Sequence, residues 1–193
     1  MTKKMQDKAP RSCKRRNKKF VKKGLILVFT GGGKGKTTAA LGTAFRALGR
    51  GWNVAMVQFI KGVWKTGEAE AAKKFGERFK LYSMGEGFTW DTQNFERDVQ
   101  KAEEAWEKCR GLLHDQEHSL VIFDEIIYAL KYQFLDENKV IAELKKKPPL
   151  KHVLLTGGGA SRKLIKIADL VTEMKCLKHP FQQGILAQPG IDY

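Results

Sequence analysis

The chain has 193 residues, of which 42% are hydrophobic, and this is sufficient for one well-cored globular domain. No apolar run is long enough to cross a bilayer, and the lysine-rich N-terminus has no hydrophobic signal segment, so we expect a cytoplasmic protein without a membrane partner. The formal charge of +15 is concentrated in residues 1–23, which hold eleven Lys or Arg and one acid, Asp7.

This basic arm, residues 1–23, is open to three interpretations. It is a solvated tail, a lid that folds over an anionic ligand, or an arm that binds nucleic acid. Phe20 is the single aromatic residue in it, whereas nucleic-acid platforms combine positive charge with several rings. We therefore rank nucleic acid last and expect none as a partner.

The first predicted strand, Gly24–Thr30, leads into a glycine-rich turn and the start of a helix, which read GGGKGKTT. Backbone N–H groups of such a loop wrap a phosphate, a lysine adds positive charge, and the hydroxyl after it can hold Mg²⁺. The pattern predicts a site for a nucleoside triphosphate with Mg²⁺. The expected nucleotide-binding residues are Gly31, Gly32, Gly33, Lys34, Gly35, Lys36, Thr37 and Thr38.

The loop departs by one residue from the template G-x-x-x-x-G-K-[ST]. The first glycine of the template falls on Thr30, and Gly31 comes one position later. The alternative is a strand-to-helix turn that needs glycine only for its backbone conformation. Lys36 and the two threonines after it occupy the positions that phosphate and metal require, which favours the phosphate loop.

Beyond the loop, short apolar runs alternate with helical periods, which is typical of a parallel sheet covered by helices. Five more strands are predicted at Asn53–Phe59, Phe79–Met84, Ser119–Phe123, His152–Thr156 and Leu170–Met174. Residues 24–193 should therefore form one α/β domain of the P-loop NTPase type. We expect a mostly parallel six-stranded sheet with helices on both faces.

Three amphipathic helices are predicted between these strands. The longest lies within Asp91–Leu113, with Trp106 on its apolar stripe, and another starts near Asp136 and ends at Lys145–Pro149. The helix after the phosphate loop is expected to pack four apolar side chains on the sheet: Leu41, Ala44, Phe45 and Leu48.

An acidic pair follows the fourth strand. Asp124 and Glu125 come directly after the apolar run LVIF, at the carboxyl end where open parallel sheets bind their ligands. An Asp-Glu pair after a strand is often only a polar strand end. Together with the phosphate loop it indicates a metal site, for which Thr37, Asp124 and Glu125 are the candidate ligands, directly or through water.

Two other segments lack a regular period. Residues 85–92 read GEGFTWDT, in which Phe88 and Trp90 are either core rings or an exposed aromatic platform for a flat ligand. The C-terminal segment from Lys178 onward mixes Pro, Gly, Gln and aromatic residues and should be irregular.

Several motifs together resemble the P-loop class of corrinoid adenosyltransferases. They are VFTGGGKGKTTAA, VQFIKG, GFTWDTQ, FDEI, the TG at Thr156–Gly157, and KHPFQQGILAQPGIDY, and they cover Gly24 to Tyr193 in order. Many NTPases share the glycine-lysine loop, but GFTW with the AQPGIDY ending is much more specific to this family.

The resemblance implies that Co(I) of a corrinoid attacks C5′ of ATP and expels the intact triphosphate, with the nucleotide held in a reversed sense. It assigns catalytic roles to Lys36, at the leaving triphosphate, and to Phe88 and Trp90, which displace the lower axial ligand of the corrinoid. It also implies a homodimer and a reduced flavoprotein as electron donor. An N-terminal segment that closes over the substrates would favour the lid interpretation of the basic arm.

One residue departs from the family pattern. Family sequences usually carry Arg after the TG, and this chain has Gly158 there. If that Arg contacts phosphate or corrin, activity here is weaker, unless Arg162 or Lys163 compensates.

Two other functions stay open on the sequence alone. One is a P-loop ATPase that acts as a switch on nucleic acid or a protein partner, which the basic arm and Asp124–Glu125 would suit. The other is a nucleotide-binding module without catalysis, for which Gly158 is the specific support.

Overall fold

The structure is a computed structural model that describes residues 20–60, 66–85 and 94–192. Six strands form in the described residues, each within two residues of its predicted bounds. They are β1 (Ile26–Thr30), β2 (Val54–Gln58), β3 (Phe79–Ser83), β4 (Leu120–Asp124), β5 (His152–Thr156) and β6 (Leu170–Glu173).

Six α-helices and two short 3₁₀ turns connect these strands in the described residues. The 3₁₀ turns lie at Gly76–Arg78 and Pro180–Gln183. The α-helices are α1 (Lys36–Gly49), α2 (Gly67–Lys73), α3 (Phe95–His114), α4 (Ile126–Lys131), α5 (Glu137–Lys146) and α6 (Arg162–Ile167).

All six strands are parallel, in the order β3-β2-β4-β5-β1-β6. The carboxyl ends of parallel strands meet at one edge of the sheet, so the segments that follow β1, β4 and β5 become neighbours there. The register pairs Gln58 with both Asp124 and Ser83. The predicted loop and acidic pair therefore share one edge.

Buried apolar clusters cover both faces of the sheet, which confirms the predicted architecture. The cluster on one face joins β-strand residues such as Val57 and Phe123 to helices α3, α4, α5 and α6. The cluster on the other face joins Met56 and Ile122 to α1 and α2. Because the inner strands are buried on both sides, they read as continuous apolar runs.

The apolar face predicted for α1 is partly wrong. Phe45 is 69% exposed and Leu41 is only partly buried, whereas Ala44 and Leu48 are buried as expected. Two alanines complete the buried face, namely Ala40 and Ala47. Three of the four buried apolar residues are alanines, so α1 can lie close to the sheet. With this face against the sheet, Phe45 points away from it.

The long helix α3 confirms the core position of Trp106. Its indole is buried and packs edge-on against Phe123 of β4, with ring centroids 6.1 Å apart. Cys109 and Leu113 continue the buried stripe, and burial raises the pKa of the Cys109 thiol well above its ordinary value. Phe95, at the start of the helix, is 59% exposed.

An ion pair between the buried Lys151 and the partly buried Asp115 joins the end of α3 to the loop before β5. Lys151 Nζ donates to Asp115 Oδ1 at 2.7 Å and to the carbonyl of Leu112 at 3.0 Å. His118 Nδ1 lies 2.7 Å from the other oxygen of Asp115. Burial alone would raise the pKa of Asp115, but the His118 backbone N–H and the Lys151 ammonium lower it overall.

Replacing Asp115 with Asn is expected to lower the free energy of unfolding by about 3 kcal/mol, because the buried Lys151 ammonium loses its counter-charge. The folded pKa of Asp115 lies below the ordinary 3.8, so its stabilisation is present above that value and is lost as the pH falls through the folded value. Urea unfolding should therefore show a difference from wild type that is constant at neutral pH and narrows only as the pH falls below the ordinary 3.8 toward the lower folded pKa. Glu103→Gln, on an exposed part of α3, is the control; a pH-independent difference for Asp115→Asn would contradict the ion-pair account.

The first described residues fix where the basic arm enters the domain. Asp169 accepts the backbone N–H of Ile26 at 2.9 Å and pairs with Lys23. This contact lies at the amino end of β1, opposite the edge that holds the phosphate loop. No helix in the described ranges has the length and apolar character needed to cross a bilayer.

Candidate active site at the carboxyl edge of the sheet

The glycine-rich loop is a tight turn packed on the end of β6. Gly31 and Gly35 have φ of 101° and 102°, a conformation that favours glycine. A Cβ at Gly31 would lie 2.3 Å from the carbonyl oxygen of Met174, and the Gly33 N–H donates to that oxygen at 2.8 Å. Thr30 is still part of β1, where its hydroxyl accepts the N–H of Ala160 at 3.0 Å. The turn therefore begins at Gly31, one residue later than in the template.

Gly31→Ala is expected to lower the free energy of unfolding by at least about 2 kcal/mol, because the new Cβ meets backbone and the left-handed φ becomes strained. Gly32→Ala is the matched control, since no atom lies within 4 Å of a Cβ there, and it should cost less than about 0.5 kcal/mol. In thermal unfolding without ligand, only Gly31→Ala should lower Tm, by about 4–8 °C. Equal Tm values for the two variants would show that the turn is not constrained as described.

Helix α1 begins where the loop ends and directs its first turn at the loop. Gly35 is the N-cap, and no side chain caps the N–H groups of this turn. Lys36 is buried, and its Nζ donates to the carbonyls of Gly33 and Gly31 at 2.8 and 3.1 Å. Thr37 is partly buried and Thr38 is exposed. Uncapped N–H groups at a helix start, next to an ammonium, form an anion-binding arrangement.

The acidic pair lies beside this helix start, as predicted. Asp124 is fully buried as the last residue of β4, and its Oδ1 accepts the Thr37 hydroxyl at 2.9 Å. Glu125 follows with φ of 65°, a left-handed conformation that is uncommon outside glycine. The three residues predicted to hold a metal are thus brought together.

Thr156, which the sequence offers only as part of the TG motif, lies next to the acidic pair. It is fully buried at the end of β5, and its hydroxyl donates to Asp124 Oδ1 at 2.7 Å. The Thr156 hydroxyl oxygen also accepts the backbone N–H of Glu125 at 2.8 Å. A polar residue at the end of an apolar strand, next to the strand that carries the acids, was the signal available in the sequence.

Gln58, which the sequence offers only as part of the motif VQFIKG, is a second polar residue at this edge. It is fully buried at the end of β2, and its Nε2 lies 3.3 Å from Asp124 Oδ2 and 3.3 Å from Glu68 Oε1. Its Oε1 accepts the Ser83 hydroxyl at 2.9 Å. A hydrogen-bonded row thus crosses β3, β2 and β4 and reaches α1 through Asp124.

The C-terminal segment is irregular, as predicted, and it reaches the phosphate loop. Asp192 pairs with Lys34, and its Oδ2 accepts the backbone N–H of Gln188 at 2.8 Å. The ammonium of Lys34 and this N–H lower the pKa of Asp192. Through these contacts the last described residues are held over the loop.

A cavity of about 550 Å³ adjoins the loop, between α1, α2 and the C-terminal segment. Phe45 and Ile191 line it, which gives the outward-facing ring of α1 an apolar neighbour. Polar groups at its walls come from Thr37, Thr38, Glu68 and Asp192. The cavity is therefore lined by apolar side chains together with polar groups from α1, α2 and the C-terminal segment.

Gly158, where the resemblance leads one to expect Arg, lies under a tyrosine ring. A Cβ there would be 2.7 Å from the Tyr128 hydroxyl. Burial and the charge of Glu125 raise the pKa of Tyr128, against the opposing hydrogen bond from the Gly158 backbone. Lys163 Nζ donates to Asn138 of α5 at 3.1 Å, which directs it toward α5.

Phe88 and Trp90 lie outside the described residues, as do residues 61–65. The described residues just before Phe88 lie next to this site, because the Met84 N–H donates to the Gln58 carbonyl at 3.0 Å. A Cβ at Gly85 would lie 2.2 Å from the carbonyl oxygen of Phe59, so the chain passes close to the end of β2.

Comparison with solved structures supports the fold. The flagellar accessory protein FlaH from Methanocaldococcus jannaschii matches with a TM-score of 0.52 and 13% identity, covering 79% of this chain and 72% of FlaH. At that identity the likeness concerns the fold alone.

Sequence comparison gives the family. The chain is 51% identical to a corrinoid adenosyltransferase from Sinorhizobium sp., over 89% of this chain and 81% of the relative. It is 44% identical to a corrinoid adenosyltransferase of Escherichia coli (strain K12), over 89% and 86%. The family model described as ATP:corrinoid adenosyltransferase BtuR/CobO/CobP matches residues 22–193. With its phosphate loop and acidic pair at one edge of a parallel sheet, the chain belongs to the ATP:corrinoid adenosyltransferase family.

Proposed function

We propose that this enzyme transfers the 5′-deoxyadenosyl group of ATP to Co(I) of a corrinoid and releases triphosphate. The observation that supports this most is the contact between the two halves of the nucleotide site, where the Thr37 hydroxyl lies 2.9 Å from Asp124 Oδ1. Adenosyl transfer with this leaving group needs strong binding of triphosphate and little acid–base chemistry. The start of α1, with its uncapped N–H groups and the ammonium of Lys36, is suited to binding the triphosphate.

The phosphate loop is proposed to hold the triphosphate through Gly31–Thr38. The uncapped N–H groups at the start of α1 and the buried ammonium of Lys36 would face the phosphate oxygens. The Gly33 N–H is engaged with Met174, so the helix start supplies more of the binding than the glycines before it. Lys36 then neutralises negative charge that grows on the leaving oxygen.

The oxygen-rich surroundings of Thr37 fit Mg²⁺. Hydroxyl and carboxylate oxygens are the ligands that this hard cation prefers, usually with substrate phosphates and water. Among the described residues no cluster of three His, Cys, Asp or Glu could hold a metal by itself, so the metal would arrive shared with ATP. Bound there, Mg²⁺ supplies positive charge to the triphosphate; Thr37 would contact it, with Asp124 and Glu125 beside it.

The reaction balances without a general base. The electron pair of Co(I) forms the Co–C5′ bond, and the C5′–O bond breaks with its electrons on the triphosphate. No proton has to be removed from the nucleophile. The protein therefore has to align cobalt with C5′ and to stabilise the leaving group.

Other properties are proposed on the family resemblance. Phe88 and Trp90 would displace the lower axial ligand of the corrinoid, and a reduced flavoprotein would supply electrons in the cytoplasm. A homodimer is proposed because exposed apolar side chains in the C-terminal segment offer an interface. They include Leu177, Phe181, Leu186 and Ile191.

The basic arm is proposed as a lid on the domain formed by residues 24–193. Lys23 is held at the amino end of the sheet, about 17 Å from the loop along a five-residue strand. The chain before Lys23 can extend about 3.3 Å per residue and so can span that distance.

The test is anaerobic incubation with chemically reduced Co(I) cobalamin, ATP and Mg²⁺. A light-sensitive alkylcobalamin spectrum with stoichiometric triphosphate is the expected result. Orthophosphate without a spectral change would support the ATPase switch instead, and ATP binding without turnover would support the non-catalytic module. The same assay with cobinamide and with cobyrinic acid a,c-diamide identifies the preferred corrinoid.

A further inference from the structure

The hydroxyl of Thr156 is shared between the two acidic residues of the site. It donates to Asp124 Oδ1 at 2.7 Å and accepts the backbone N–H of Glu125 at 2.8 Å. Thr156 is fully buried, so water does not compete for either contact. One side chain of β5 thus fixes both the carboxylate of Asp124 and the main chain of Glu125.

The backbone at Glu125 requires such a restraint. Its φ of 65° is positive, and Gln133 is the other non-glycine residue with positive φ in the described ranges. Residues in this conformation persist where the surroundings hold them in place, and they concentrate at functional sites. The hydrogen bond from the Glu125 N–H to Thr156 is such a restraint, and the direction of the Glu125 side chain depends on it.

The Thr156 hydroxyl also affects the orientation of Thr37, through Asp124. Asp124 Oδ1 accepts hydrogen bonds from both Thr156 and Thr37, while Oδ2 faces Gln58. With the carboxylate held from two sides, its rotation is restricted. The Thr37 hydroxyl then directs its proton to Asp124, and its oxygen lone pairs are left for a cation.

We infer that Thr156 is a positioning residue for the metal–triphosphate complex. It orients Thr37 through Asp124 and sets the main chain of Glu125, without touching the metal or the nucleotide itself. The inference rests on the proposed function, since it names how that site is arranged. Residues that orient metal ligands in this way contribute about 10–100-fold to metal affinity in other proteins.

The experiment compares Thr156→Val, which keeps the shape and removes the hydroxyl, with Thr156→Ser, which keeps the hydroxyl. Binding of Mn²⁺–ATP is followed by electron paramagnetic resonance without corrinoid, so the readout is independent of adenosyl transfer. Thr156→Val should bind Mn²⁺–ATP about tenfold or more weakly, and Thr156→Ser should stay within about threefold of wild type.

Turnover gives the second readout. Thr156→Val should need about tenfold more Mg²⁺ for half-maximal rate, while the KM for cobalamin changes less than about twofold, because Thr156 does not reach the corrinoid in this inference. Thr156→Ala serves as a second hydroxyl-free variant if the valine protein is insoluble. Thermal unfolding accompanies each measurement.

The outcomes separate the inference from the function on which it rests. If the hydroxyl-free variants unfold at lower temperature but keep wild-type Mn²⁺–ATP affinity and Mg²⁺ dependence, Thr156 is merely structural and the inference is overturned. If Thr156→Ser fails as badly as Thr156→Val, the hydroxyl is not the operative group. If the wild-type chain does not bind Mn²⁺–ATP, the proposed function falls together with the inference.

Discussion

Replacing Lys36 with Ala is expected to lower kcat by about 10²–10³-fold, the loss seen when a group aimed at developing charge is removed. Its ammonium is buried, lies 2.8 Å from the Gly33 carbonyl, and stands at the first position of α1. The leaving triphosphate gains negative charge as the C5′–O bond breaks. No other lysine in the described part of the phosphate loop is buried.

The measurement is steady-state adenosyl transfer with pre-reduced Co(I) cobalamin, together with ATP binding. Lys34→Ala is the matched comparison, because Lys34 belongs to the same loop but is half exposed and paired with Asp192. An exposed ion pair contributes about 1 kcal/mol or less, so its loss should change the rate by less than about fivefold. Near-normal turnover of Lys36→Ala, or equal losses in both variants, would contradict the role of Lys36.

The strands could be predicted because each inner strand is buried on both faces. Val54–Gln58 and Leu120–Asp124 have all five residues buried, so burial imposes a continuous apolar run that stands out in the sequence. The parallel direction of the strands then follows from their alternation with helices along the chain. In a parallel sheet the carboxyl ends of the strands lie at one edge, so the positions of the phosphate loop and the acidic pair could be predicted from the same pattern.

The face of α1 could not be predicted correctly from periodicity. The predicted stripe combines Ala44 and Leu48, which are buried, with the larger Leu41 and Phe45, whereas the structure completes the buried face with Ala40 and Ala47. Contact with the sheet selects the smaller residues, because they let the helix approach closely, and Phe45 is left to line the cavity beside the C-terminal segment. That segment lies far away in sequence, so no local pattern could reveal it.

The sequence brings together those residues of the candidate site that are adjacent in the chain, but not those that meet through strand register. Lys36 and Thr37 are read from one loop. Gln58 and Thr156 join the site because β2 and β5 flank β4 in a particular register, with Gln58 opposite Asp124. A single polar residue at the end of an apolar strand has many ordinary explanations, so only the pairing of strands distinguishes these two.

Replacing Trp90 with Ala is expected to have the second largest effect, and only in one form of the assay. If Trp90 displaces the lower axial ligand, it makes four-coordinate Co(II), which is reduced more easily than the ligated form. The variant should therefore lose at least about tenfold in rate, or 1.4 kcal/mol, when the reaction starts from Co(II) and a reductant. Starting from Co(I), which needs no reduction, it should lose less than about threefold.

The comparison works because the two assays share every step after reduction. Loss of ATP binding, of the phosphate loop or of the fold would slow both assays equally, as expected for Lys36→Ala. Trp90→Phe is the matched control, since it retains an aromatic ring and should recover much of the Co(II) rate. The chain that leads toward Trp90 is hydrogen-bonded to Gln58 through the Met84 N–H. A change at Trp90 could therefore also weaken binding of Mg²⁺ and ATP, and both assays should be run with these at saturation. Equal losses from Co(II) and Co(I) under those conditions would remove the axial-ligand role and leave Trp90 as a residue that binds the corrinoid or supports the loop.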